Sequence, residues 1–108
     1  MTDTEVLRRD NGYELRVDGK VAGLAAFLDH DNQRVFHHTE INRAHRGEGL
    51  STVLIEAALT DTVGAGMRIV PVCPAVKAYL DKENGFAESV DPVTDEIFDW
   101  LEAKFQKR

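Results

Sequence analysis

A chain of 108 residues, 43% hydrophobic and 30% charged, has the makeup of one soluble domain that buries a single core. Its single cysteine excludes an internal disulfide and fits a reducing compartment, and no apolar run approaches the ~18 residues that cross a bilayer. A formal net charge of −6 speaks against nucleic acid, which needs a basic surface, and favours a cationic acceptor such as an amine.

The first residues, Met1-Thr2-Asp3-Thr4-Glu5, are acidic and polar, unlike an export signal, so a cytoplasmic protein is expected. From about Val6 to Leu28 the pattern is a β-hairpin or short meander. Tyr13, Leu15 and Val17 alternate with polar neighbours, Asp18-Gly19 supplies a two-residue turn, and Val21 to Leu28 returns as a strand. That second arm is apolar on both faces, which predicts a central strand. Arg34 to Ile41 is the next strand; simple alternation puts Val35, His37, Thr39 and Ile41 on one face and Phe36, His38 and Glu40 on the other.

Two glycines then open the backbone, and a helix begins at once. Leu50, Val53, Leu54, Ala57 and Ala58 recur at helical spacing and predict its buried stripe, with a stop near Gly64-Ala65-Gly66. Met67 to Val72 is apolar and β-branched, a buried strand able to lie parallel to its predecessor through a right-handed crossover. Pro74 opens a second helix to about Glu83, with Val76, Tyr79 and Leu80 inward. Asn84-Gly85 stops it, and Phe86 to Val90 is predicted as a short edge strand. From Asp91-Pro92 or Thr94 a last helix carries Ile97, Trp100, Leu101 and Phe105 on one side. Asp95 and Glu96 stand in its first turn, and Lys104, Lys107 and Arg108 in its last.

The stretch that carries chemistry is Ile41-Asn42-Arg43-Ala44-His45-Arg46-Gly47-Glu48-Gly49-Leu50-Ser51. A helix starting from a glycine loop presents unpaired N–H groups and the positive end of its dipole, a ready phosphate site. Gly47 and Gly49 let a ligand approach the main chain, and Arg46 adds a cation suited to phosphate. The nucleotide-triphosphate loop fails here, because Leu50-Ser51 stands where Lys-Ser/Thr is required. The dinucleotide fingerprint also fails, because Thr52 takes the third glycine's place. A tight turn with no ligand is the plain alternative.

Arg46-x-x-Gly49-x-Ser51 resembles the Arg/Gln-x-x-Gly-x-Gly/Ala motif of the GNAT superfamily of acyl-CoA-dependent N-acetyltransferases. With His38-Thr39-Glu40-Ile41, Val70-Pro71-Val72-Cys73-Pro74 and Tyr79-Leu80 in order, residues 10 to 90 look like the short YjdJ-type branch of that superfamily. The resemblance implies one small α/β (α+β) domain of residues 1–108. Its sheet is mixed and mostly antiparallel, with a central parallel strand pair that splays, flanking helices and a C-terminal helix. It implies acetyl-CoA as cofactor, with Ile41, Arg46, Gly47, Glu48, Gly49, Leu50, Ser51 and Cys73 as its binding residues. The pantetheine arm would lie between the splayed strands, and Pro71 suits such a break in pairing.

Three residues are candidates for catalysis. Cys73, at a strand end and immediately before a helix whose dipole favours a thiolate, is implied to lie by the acetyl group and act as nucleophile. Tyr79, the rival, is implied as the acid that protonates the departing thiolate. Glu40, with His38, is the candidate base for deprotonating an ammonium acceptor. For Cys73 and Tyr79 the alternative is a core role, and for Glu40 an ordinary exposed strand position. No spacing fits metal ligands. The expected partner is a small-molecule or peptide amine, with no nucleic acid and no membrane, and the chain a monomer or weak homodimer. A coenzyme A-binding module without turnover is the second reading, and a partner-binding subunit the third.

Overall fold

The structure is a computed structural model and describes residues 3–106. The first four strands run in hairpin sequence: β1 (Thr4–Arg9), β2 (Gly12–Val17), β3 (Lys20–His30) and β4 (Gln33–Ile41), each antiparallel to the next. Asp18 and Gly19, both at positive φ, form the tight turn between β2 and β3, and Asp31 adopts the same backbone between β3 and β4. Helix α1 (Leu50–Gly64) then crosses over the sheet and returns the chain as β5 (Arg68–Pro71), parallel to β4. The sheet order is β1-β2-β3-β4-β5, so the two-faced apolar strand β3 is central, as its composition predicts, while β5 forms one edge.

Helix α2 (Pro74–Lys82) follows β5 directly, with Pro74 in its first turn. Residues Asn84–Ser89 wind as a 3-10 helix where an edge strand was expected. Among the described residues of this segment, Val90 alone pairs with the sheet, through a single parallel bridge to Ile69. Asn84 and Gly85 still end the helix, but the chain closes tight turns before it can extend. Helix α3 (Asp95–Gln106) starts after Thr94, whose hydroxyl accepts from the Ile97 amide at 3.2 Å. The Lys107 and Arg108 positions of the charge pattern lie outside the described residues.

Two cores sandwich the sheet. On one face Tyr13, Leu15, Phe27, Phe36 and Ile69 pack against Leu54, Ile55, Ala58 and Leu59 of α1 and Val76 of α2. On the other, Val35 and Val70 pack against Ile97 and Leu101 of α3, which covers part of that face. Buried on α1 are Leu54, Ile55, Ala58, Leu59 and Thr62, whereas Val53 is exposed, so the stripe predicted from periodicity is rotated. Thr62 joins the buried face because its hydroxyl donates to the Ala58 carbonyl at 2.8 Å.

A buried guanidinium ties the layers together. Arg34 donates to both carboxylate oxygens of Asp29 at 2.8 and 3.1 Å and to the Tyr13 hydroxyl at 2.6 Å, and sits 4.3 Å over the Phe27 ring. Tyr13 in turn donates to Asp61 of α1 at 2.7 Å. Every polar atom in this chain of contacts therefore has a partner, which a buried charge requires.

Candidate active site

The site is built where β4 ends. Pairing with β3 runs Ala26↔His38 and then Phe27↔Phe36, so His37 is an extra residue on β4. This bulge reverses the phase of everything after it. Thr39 contacts Cys73 and Ile41 packs on the α1-side core, so both share the face of Phe36 instead of the opposite one. A second bulge, at Ala22, frees a carbonyl on β3 that accepts from the Asn42 amide at 2.6 Å. The loop leaving β4 is thereby anchored to β3. Gly23 permits this approach, since a Cβ there would meet Ile41 Cδ1 at 2.7 Å and the Glu40 carbonyl at 3.0 Å.

Asn42 organises the loop. Its side-chain oxygen accepts from the Ala44 amide at 3.0 Å and its carbonyl from the His45 amide at 2.8 Å, closing one 3-10 turn, Arg43–His45. Gly47 and Gly49 then take φ values of 86° and 75°, backbone that strains any other residue. Nothing lies within 4 Å of a Cβ built on either. Gly49 precedes α1 directly; among the described residues no side chain caps the helix, and no acidic residue stands in its first turn. The helix start thus leaves its first N–H donors without a side-chain partner among the described residues. Arg46 is exposed and forms no ion pair among the described residues, while Glu48 is engaged by His45 at 3.1 Å.

The parallel pair opens beside this loop. β5 stays in register with β4 only from Gln33↔Arg68 to Phe36↔Pro71. The Cys73 amide donates once more, to the Phe36 carbonyl at 2.8 Å, and the chain turns into α2. From His37 to Ile41, β4 therefore keeps a strand neighbour on its β3 side alone. Cys73 stands at the mouth of this gap, buried in the α1-side core, its thiol donating to the Thr39 hydroxyl at 3.3 Å.

Glu40 is exposed, with His38 as an ion-pair partner at 3.7 Å. It lines a cleft of ≈ 530 Å³ together with Ile41, Arg43 and Arg46 from the loop and Glu14, Gly23 and Leu24 from β2 and β3. Glu14, Leu24 and Glu40 are successive cross-strand partners and make one row over the uncovered end of the sheet. Arg16 and Arg9 hydrogen-bond to the Glu14 carboxylate at 2.7 and 3.1 Å and hold it below the usual carboxylate range.

Of the residues singled out in the sequence, Glu40, Ile41 and Arg46 meet in this cleft, whereas Cys73 and Tyr79 do not line it. Tyr79 is half-buried against Phe86 and lines a separate cavity of ≈ 260 Å³ with Thr52 and Glu56 of α1. Burial, with the carboxylates of Glu56 and Glu83, pushes its phenol above the ordinary value. Thr39, Glu14 and Arg43 were not singled out. Alternation alone misplaces Thr39, and Glu14 reaches the cleft only through strand register, which no local pattern encodes. Arg43 carried a visible signal, its place in the loop.

A family model described as GCN5-related N-acetyl-transferase matches residues 12–89. The fold is similar to the crystal structure of the ribosomal-protein-S18-alanine N-acetyltransferase from Escherichia coli, with a TM-score of 0.56 at 15% identity. That likeness covers 70% of this chain and 53% of the other, so the chain spans about half the length of that relative. No curated protein matches the sequence. The bulged β4, the glycine loop, α1, β5 and α2 all fall inside the matched region, and on that match the chain belongs to the GCN5-related N-acetyltransferase family.

Proposed function

We propose that the domain binds acetyl-CoA and transfers its acetyl group to an amine, and that it is of the short YjdJ-type branch. The observation that carries this reading is the uncapped start of α1 behind two left-handed glycines, beside the open end of β4. The donor set fits a diphosphate. No side-chain cap occupies the amides at the start of α1, the Cβ positions of Gly47 and Gly49 are open, and Arg46 has no ion-pair partner among the described residues. Several charge-assisted hydrogen bonds at about 1.5–3 kcal/mol each suffice for micromolar binding, about −8 kcal/mol, after ordering costs. The main chain of β4 up to Ile41, free on its outer side, offers amide partners to an extended arm.

Bound there, acetyl-CoA would supply a thioester carbonyl open to attack by nitrogen. Glu40 takes the proton that an ammonium acceptor must lose, its carboxylate reachable from the cleft. On the covalent route Cys73 Sγ, positioned by Thr39 at the strand gap, would take the acetyl group with loss of coenzyme A as its thiolate, and the deprotonated amine would then take the acetyl group from Cys73 and restore the thiol. Tyr79, whose phenol stays protonated through the neutral range, is the candidate proton donor. The setting we propose is cytoplasmic, with the chain a monomer or weak homodimer acting away from membranes and nucleic acid. In the described residues no helix is long and apolar enough to cross a membrane.

The test is acetyl-CoA titration with detection of released thiol across polyamines, lysine peptides and small amines. Amine-dependent release supports the transferase. Binding without release to any amine points to a coenzyme A-binding module instead, and absence of binding removes both.

A further inference from the structure

The cleft beside Glu40 has a charge pattern that acetyl transfer to a simple amine leaves unused. Glu14 is occupied by Arg9 and Arg16. Among the described residues Glu40 has only the exposed His38, at 3.7 Å, and remains available to a ligand. Arg43 and Arg46 line the same cleft, neither paired with a carboxylate among the described residues. Arg46 is assigned above to the diphosphate, which leaves Arg43 without a task. It is not a loose side chain on a mobile tail, because the turn that carries it is pinned by Asn42 at both the side chain and the main chain. Val21 and Leu24 add apolar surface to the same cleft.

A cleft lined by an unpaired guanidinium, an available carboxylate and apolar side chains complements a zwitterion. Resting on the acetyl-transfer reading, we propose that the acceptor is a small amino acid. The Arg43 guanidinium holds its carboxylate in two-pronged geometry, and its ammonium faces Glu40. A free amine, a polyamine or an internal lysine of a peptide would leave Arg43 unanswered.

The experiment compares glycine, alanine and lysine, each beside its α-amide, as acceptors, with acetyl-CoA affinity measured separately by calorimetry. The free acids are expected to exceed the amides by about tenfold or more in kcat/KM, the scale of one charged hydrogen-bond pair. Arg43→Ala should raise the KM for the acids by a similar factor and abolish the preference, with acetyl-CoA affinity unmoved. Arg43→Lys should restore part of it. Amides used as well as acids would overturn the proposal, and so would an Arg43→Ala variant that weakens acetyl-CoA instead of the acceptor. Should none of the six compounds be acetylated, the Arg43 side-chain Nε–H resonance is followed as glycine is added to the coenzyme A-loaded protein. A saturable shift absent with glycinamide supports the site, and no shift overturns it. Failure of acetyl-CoA to bind at all would be seen in the calorimetric arm and would remove the underlying reading together with this one.

Discussion

Gly49→Ala separates a ligand-binding loop from a mere turn. Gly49 has φ 75° and open space around its Cβ position, so the new methyl meets no protein atom and the folding cost is backbone strain alone. That strain is about 1–2 kcal/mol, and each kcal/mol lowers Tm by about 4–8 °C in a domain of this size. Gly19 provides a matched control. It has φ 82° and equally open surroundings, but it sits in the β2–β3 turn, far along the chain from α1. Gly19→Ala should therefore cost the same stability. The two variants part in binding. If a diphosphate lies against the amides after Gly47, a methyl at Gly49 displaces it from at least one charged hydrogen bond, worth about 1.5–3 kcal/mol, or roughly ten- to a hundredfold in affinity. Circular dichroism melts give the stability arm and calorimetric titration of coenzyme A the binding arm. Equal Tm losses with affinity lost only in Gly49→Ala is the expected result. Equal affinity in both variants would refute the reasoning.

Cys73→Ala tests the covalent route by mass spectrometry after incubation with acetyl-CoA. An acetyl adduct is expected on the wild type and not on the variant, and equal turnover by both would take the thiol out of the chemistry. Arg34→Ala removes the buried bidentate pair and the contact over Phe27, at an expected cost of about 2–3 kcal/mol in urea unfolding, since Asp29 is partly exposed and rehydrates. Arg34→Met keeps the apolar contact and should recover part of that, while a change below about 0.5 kcal/mol would mean the network is slack. Arg68 and Gln33 hold the Asp91 carboxyl below its ordinary 3.8. A depressed folded value stabilises above 3.8 and loses that contribution as pH falls through the lower folded value. Asp91→Asn should thus be less stable than wild type at neutral pH and converge with it in acid; parallel urea midpoints across pH would contradict this.

The hairpin, the central strand and the parallel return were legible because their signals are local, whereas β1 was not marked as a strand of its own. Asp18-Gly19 fixes one hairpin, the two-faced apolar run marks β3 as central, and the crossover after Gly49 dictates a parallel β5. Pro74 likewise announced α2. The face of α1 was not legible, because Leu50, Val53, Leu54, Ile55, Ala57, Ala58, Leu59 and Val63 leave it apolar nearly all round and periodicity selects no side. Packing against Tyr13 and Phe27, far away in sequence, makes the choice. The faces of β4 were misread for a related reason, since the bulge at His37 is set by pairing with β3 and carries no composition signal. Phe86 has strand character, yet the turn at Asn84-Gly85 runs on as a 3-10 helix that keeps Phe86 against Tyr79. The glycine loop could be read in one stretch. The cleft beside it could not, because Glu14, Leu24 and Glu40 meet only through the register of three strands.

The central claim is that the bare amides ahead of α1 grip a diphosphate. Amide chemical shifts recorded while coenzyme A is added report on those groups one by one. The account predicts saturable movement from Arg46 to Ser51, largest at Gly47 and Gly49, with Asp18 and Gly19 unmoved. Resonances of Arg46 to Ser51 that stay in place at excess coenzyme A would contradict it.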